Sequence, residues 1–347
     1  MTWAPFLIYV DLEYILVPVD QRTGNTYLFQ NRKPCAASAL ICSTVAAFDK
    51  QFYLYTGENS VNQLLDQLIK WDIKLTLSNT SSKTVKWGRY LVKSRQTMTC
   101  SFVLHLSPSE PPIRSQHPQR SQSGRSGSCD RILHWCSAWW MQSEASGSLR
   151  HSLFFHKLRG YDSHLIVTVL SDAAYWTRKI EVICQNIKRY MQVKWGNNLV
   201  FRDSFMFLTS SLESLVQSRR ITDGRQFQHL ESLMSTRYPG SDFKLLLRKG
   251  VFPNEYLDSF DKFGDIALPP REEFYSTLRG EECAADDYDY ANRVWTAFGC
   301  TSLEDYLKLF MVNDVCQLAD VFKNFRRICH SNYQLDPPYF VSAPQLA

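Results

Sequence analysis

The chain has 347 residues, 14% of them aromatic, and a formal net charge of +5. That length and aromatic content exclude general disorder and allow one elaborated α/β domain or two to three average ones. So small a charge permits a nucleic-acid partner without demanding one. The ten cysteines include no CxxC pair and read as reduced thiols in an intracellular protein, nuclear or cytoplasmic. No run reaches membrane-spanning length and the N-terminal apolar stretch lacks a basic lead, so no membrane association and no secretory signal are expected.

The first element is Phe6 to Val17, FLIYVDLEYILV, closed by Pro18. A run this apolar and β-branched predicts an interior strand covered on both faces. Asp11 and Glu13 interrupt it two residues apart. Side chains alternate along a strand, so both carboxylates project from one face, and two ionised carboxylates in a poorly solvated place need a cation or a shared proton. That pattern points to a divalent-metal site. The alternative is an edge strand whose Asp/Glu face lies in water.

Thr23-Gly24-Asn25 reads as a turn, and Ala36 to Phe48 and Gln51 to Thr56 as two further strands. Ser60 then caps a helix carrying Val61, Leu64, Leu65, Leu68 and Ile69 at helical spacing. Residues 99–148 are rich in Ser, Arg, Gly and Pro and predict a disordered insertion, because so few apolar groups cannot offset the entropy of ordering. Its Trp135, Trp139 and Trp140 beside basic residues also allow a contact with single-stranded nucleic acid. This divides the chain into 1–98, the insertion 99–148, a second ordered part 149–340, and a tail 341–347.

Ser152 to Phe155 predicts a strand leading through a Gly-containing turn to Asp162. Leu165, Ile166, Val169 and Leu170 then repeat at helical spacing. Asp162 thus stands at a strand-to-helix junction, where an N-cap is the ordinary role. Strands are expected over Lys179 to Cys184, Tyr190 to Lys194 and Leu199 to Arg202, a short helix after Thr209-Ser-Ser, and another over Asp287 to Phe298. The last helix begins at Ser302 with Asp305 as a capping box and carries the stripe Leu303, Leu307, Phe310, Asp314, Leu318, Val321, Phe325, Ile328. Asp314 therefore faces the core, where a carboxylate is costly unless metal-bound or paired, Arg326 being one possible base.

Asp11-x-Glu13 on a strand, Tyr161-Asp162 after a strand and Asp314 on a late helix resemble, in their order, the acids of the proofreading domain of family B DNA polymerases. Five segments look more particularly like the protein-primed polymerases of self-synthesising transposons and linear DNA viruses: FHKLRGYDSHLI from Phe155, DSFMFLTSSLESL from Asp203, LLRKGVFPNEYLDS from Leu246, LPPREEFYSTL from Leu268 and YLKLFMVNDVCQLADVFKNFRRIC from Tyr306. The resemblance implies an α/β, ribonuclease-H-like 3′-5′ exonuclease fold, a mixed sheet flanked by helices, acting on single-stranded DNA 3′ ends in replication.

By the same resemblance, two magnesium or manganese ions would be held by Asp11, Glu13, Asp162 and Asp314, one activating water and the other stabilising the leaving 3′ oxygen. Lys249 matches the lysine that meets the scissile phosphate, and Ser211 and Leu212 match the Ser-Leu pair that holds the frayed end. His156, Lys157 and Tyr161 fall in the segment that contacts the strand. Primer–template DNA and a terminal priming protein are the partners of that family. Two positions depart from it: Lys157 stands where the family has Asn, and Phe310 where it has a tyrosine whose hydroxyl orients the attacking water. The tail 341–347 resembles the approach to the polymerase half, and no later polymerase motif follows, so polymerisation is not expected of these residues. The alternative reading is a catalytically weakened single-stranded DNA-binding remnant of such a polymerase.

Overall fold

The computed structural model describes residues 3–23, 26–83, 150–172, 174–175, 177–186, 189–222, 227–277 and 280–346. Met1–Lys74 with Arg150–Ala347 form one compact unit, and Leu75–Leu149 another. The expected insertion, with its tryptophans, lies outside the described residues, as do the Gly24-Asn25 turn positions. All the strands belong to the first unit.

Seven strands form one mixed sheet in the order β3-β2-β1-β4-β7-β6-β5. The apolar first segment is the central strand β1 (Phe6–Thr23), antiparallel to β2 (Thr26–Ser43), which is antiparallel to β3 (Phe52–Thr56). On its other side β1 runs parallel to β4 (His151–Phe155), and β4 parallel to β7 (Leu199–Asp203). β6 (Arg189–Trp195) and β5 (Ile180–Asn186) complete the sheet as an antiparallel meander.

Alternation along β1 divides two cores. Leu7, Tyr9 and Ile15 pack with Ala36 and Leu40 of β2 in one, together with the last helix, whereas Ile8, Val10 and Leu12 pack with Ala37, Ala39 and Ile41 in the other. The second core is covered by α1 (Ser60–Lys83), through Val61, Leu64, Leu65 and Leu68, and by α2 (Asp162–Leu170), through Ile166 and Leu170. β1 is thus buried on both faces, and the reading with its acids on a solvated edge does not hold.

Two strands differ from expectation at their ends. β1 continues past Pro18 to Thr23, with a register break between Pro18 and Gln21. A proline cannot donate to the ladder but is tolerated at such an irregularity. β2 begins ten residues before Ala36, at Thr26, and ends at Ser43 rather than Phe48, so β1 and β2 extend as a two-stranded ribbon beyond the reach of β3.

After β7 come α3 (Leu212–Thr222), α4 (Gln228–Arg237), α5 (Ala285–Ala297) and the 31-residue α6 (Leu303–Tyr333). α6 starts where the cap pattern put it: Ser302 accepts from the Asp305 N–H at 3.1 Å, and the Asp305 carboxylate accepts from Thr301 N–H and hydroxyl. Its expected stripe drifts off the core at the end. Ile328 is 46% exposed, and the buried face passes instead through Phe322, Arg326 and Cys329, where the Arg326 guanidinium is held by Asp336. Among the described residues no helix is long and apolar enough to cross a membrane.

Candidate metal centre

Asp11 and Glu13 leave β1 on the same face as Leu7, Tyr9 and Ile15, which is the face α6 covers. Asp11 is paired in register with Ser38 of β2, whose hydroxyl donates to the Met311 carbonyl of α6 at 3.5 Å. That contact seats the helix with Asp314, about one turn further on, over the two acids. One carboxylate oxygen from each of Asp11, Glu13 and Asp314 lies within 4.8 Å of the others. Arg326 does not pair with Asp314. Its guanidinium donates to both oxygens of Asp336, at 2.8 and 2.7 Å, and to the Ala4 carbonyl.

Three acids crowd one recess, and each is shifted towards its protonated form. Burial, then Glu13, Asp314 and Asp162, drives the Asp11 carboxyl well above the usual range. Burial followed by Asp314 and Asp162 pushes Glu13 up to about 8, with Arg32 opposing. Burial raises Asp314 to about 7, against the pull of the Lys249 ammonium. Asp11 Oδ2 is buried and has no hydrogen-bond partner among the described residues. An orphaned oxygen in an all-carboxylate group is costly in the bare protein and suits a hard divalent cation, which would supply the missing partner and displace the protons.

Asp162 stands apart from that trio but acts on it, since its charge raises both Asp11 and Glu13. It is the first residue of α2, and the N-cap position falls on Tyr161, so the ordinary N-cap role does not apply. Its Oδ1 instead accepts from the Tyr14 hydroxyl at 2.5 Å. Burial raises Asp162 to about 6, with the Tyr14 hydrogen bond working the other way. Tyr14 lies on the face of β1 that carries Ile8, Val10 and Leu12, the face α2 covers, so alternation along the strand brings its hydroxyl to the start of that helix.

The turn before Asp162 is fixed by a buried acid. Asp203, at the end of β7, accepts from Lys157 N–H at 2.9 Å, from Arg159 N–H and Nε at 3.2 Å, and from Phe205 N–H at 2.9 Å. Lys157 adopts φ +73°, a left-handed conformation uncommon for a residue with a long side chain. It is exposed, with its ammonium 5.8 Å from the Phe205 ring centroid. His156 is engaged within the protein, Nδ1 with Ser204 Oγ at 3.0 Å and Nε2 with the Ser210 carbonyl at 3.1 Å. Tyr161 sets its ring edge-on to Tyr14 at 5.3 Å and donates its hydroxyl to the Arg32 carbonyl at 2.9 Å.

Lys249 is exposed on a loop that α6 holds from below. The buried Gln317 donates to the Leu246 carbonyl at 2.6 Å and to the Arg248 carbonyl at 3.2 Å, and also to Asn313 Oδ1. Arg248 is fixed in turn by Asp287 at 2.5 Å. Phe310 packs against Phe252 at 5.3 Å and lies flush with Gly250, where an added Cβ would overlap the ring. Only glycine admits that approach. Ser211 caps α3, accepting from Ser214 N–H at 3.2 Å, and Leu212 is half-buried against the core. The hydroxyl of Ser211 is therefore committed to its own helix.

Sequence reasoning gave no role to Tyr14, Asp203, Gln317 or Asn313. Gln317 and Asn313 form a buried i, i+4 polar pair among the apolar residues of α6, a signal visible in the sequence. Alternation puts Tyr14 on the face opposite Glu13, where α2 packs.

No family model matches the chain, and neither a curated protein nor a solved structure matches it.

Proposed function

We propose that the chain is a metal-dependent 3′-to-5′ exonuclease acting on single-stranded DNA ends, the proofreading part of a family B, protein-primed type of DNA polymerase with a ribonuclease-H-like fold. One observation carries this reading: carboxylate oxygens of Asp11, Glu13 and Asp314 converge to within 4.8 Å of one another, and Asp11 also carries a buried oxygen with no partner among the described residues. The topology supports it. Three antiparallel strands followed by two parallel ones, with acids on the central strand and another on a covering helix, fit the ribonuclease-H-like arrangement.

Asp11, Glu13 and Asp314 would hold one magnesium or manganese ion, and Asp162 with Asp11 a second. Such ions supply an activated water and neutralise charge on the phosphate in flight. The chain's own residues do the rest. Lys249, exposed beside Asp314, offers a cation to the scissile phosphate, and its loop is kept in place by Gln317. Tyr14 keeps the Asp162 carboxylate oriented. Primer–template DNA and a priming protein are partners this reading carries with it.

A second reading, a single-stranded DNA-binding remnant that cuts poorly, is favoured by Phe310, which brings a ring but no hydroxyl. A 5′-labelled single-stranded oligonucleotide incubated with magnesium separates the two. A ladder shortening from the 3′ end supports the exonuclease, salt-sensitive binding without shortening supports the remnant, and the absence of both shortening and binding overturns both readings.

A further inference from the structure

Arg32 belongs to no motif, yet it sits beside the acids. It lies on the β1–β2 ribbon in register with Leu16, two residues beyond the Glu13/Tyr14 shift. Its guanidinium carbon is 5.6 Å from the centroid of the Tyr161 ring, and the Tyr161 hydroxyl holds the Arg32 carbonyl at 2.9 Å. The residue is therefore held at its backbone, with its guanidinium over the Tyr161 ring. Its charge reaches both Glu13 and Asp162, favouring their ionised forms.

The next residue shows what an engaged cation looks like here. Lys33 is paired with Glu58 at 2.6 Å and lies over the Phe260 ring at 5.0 Å. Arg32 has no carboxylate partner within ion-pair distance among the described residues and is exposed. A guanidinium that meets an aromatic ring by cation–π contact and has no carboxylate partner can offer its N–H fork, which matches two phosphate oxygens.

We propose that Arg32 is a phosphate-binding residue of this site, gripping a backbone phosphodiester of the single strand whose end lies at the carboxylates, with Tyr161 as the platform that holds it. This rests on the exonuclease reading and adds a contact on the β1–β2 ribbon, opposite in the chain to the Lys249 loop.

The test is a fluorescence-anisotropy titration of a short labelled oligodeoxythymidine, with calcium replacing magnesium, across a series of salt concentrations. Each phosphate contact on a single strand contributes about 0.7 to the slope of log affinity against log salt. Arg32→Ala is expected to make that slope shallower by about 0.7 and weaken binding several-fold. Arg32→Lys should keep the slope while losing part of the affinity, since a point charge replaces the fork. Lys33→Ala should leave both near wild type. An unchanged slope in Arg32→Ala, with wild type binding normally, overturns the assignment of Arg32 alone. A wild-type protein that does not bind the oligonucleotide overturns the exonuclease reading, and this inference with it.

Discussion

The Tyr14 hydroxyl and Asp162 Oδ1 meet at 2.5 Å, 148 residues apart in the chain. The contact joins the central strand to the first residue of α2, so it ties the carboxylate that acts from a distance to the strand bearing Asp11 and Glu13. Hydrogen bonds from outside the ligand shell orient ligands, and removing one typically costs about 10–100-fold in metal affinity or activity. Tyr14→Phe keeps the ring against Tyr161 and removes only the donor. It is expected to lower the exonuclease rate by about that factor while leaving the thermal midpoint nearly unchanged. A rate equal to wild type would show that Asp162 needs no such support.

Phe310 supplies the opposite case. Its ring is already seated against Gly250 and Phe252, one turn before Asp314, but it has no hydroxyl to orient a water. A positioned donor to a reacting group is worth roughly 2–4 kcal/mol, or about 30-fold to 1,000-fold in rate. Phe310→Tyr should therefore raise the single-turnover rate on a labelled strand. If it leaves the rate unchanged while Asp11→Ala abolishes it, the water-orienting role does not belong to this position.

Lys157 carries a backbone cost at φ +73°. The left-handed region disfavours residues with a Cβ by roughly 1–2 kcal/mol, and Asn is among the few that visit it readily. Lys157→Asn is expected to raise stability by about 0.5–1 kcal/mol in urea unfolding. The N–H that Asp203 accepts is backbone, so the substitution leaves that bond intact. A destabilised variant would mean that the lysine head over Phe205 contributes more than the backbone strain removes.

The carboxylates also set how stability varies with pH. Glu13, at about 8, and Asp314, at about 7, are raised in the folded chain from about 4 in the unfolded one. The folded state then binds more protons than the unfolded state, so stability falls as pH rises from about 4 towards 8. His151 works the other way. Burial lowers it to about 4, so its contribution is present above its unfolded value of about 6.5 and is lost below it. The buried thiols of Cys35, Cys42, Cys300 and Cys316 are also raised and add a fall of their own near their unfolded value of about 8.5, so the acids dominate between about pH 6.5 and 7.5. In EDTA the melting temperature should drop between about pH 6.5 and 7.5, and saturating manganese should remove that drop, because a bound cation replaces the protons. A flat profile in EDTA would mean that the acids are not crowded in the absence of metal.

How much of the site could be read from sequence depends on how each residue is delivered. Asp11 and Glu13 are legible because alternation in a strand places i and i+2 together, and Asp314 because a well-capped helix fixes the face it presents. Tyr14 follows the same alternation onto the opposite face, but its partner is not legible, because Asp162 reaches it only through the packing of α2 on that face. Arg32 stands on a ribbon that the sequence does not announce: Pro18 and Pro34 suggest interruption, and the strand accommodates both at irregular pairings. The loop 246–250 shows matching residues, but that Gln317 holds it to α6 follows from packing between segments far apart in the chain.

Whether Asp11, Glu13 and Asp314 form a divalent-metal centre is decided by a manganese titration at neutral pH, read as loss of the free-ion electron paramagnetic resonance signal. Saturable binding of two ions per chain is expected, accompanied by proton release and abolished by Asp11→Ala in a protein that still melts cooperatively. Binding that is absent in the wild type, or that survives Asp11→Ala undiminished, would contradict a metal centre at these carboxylates.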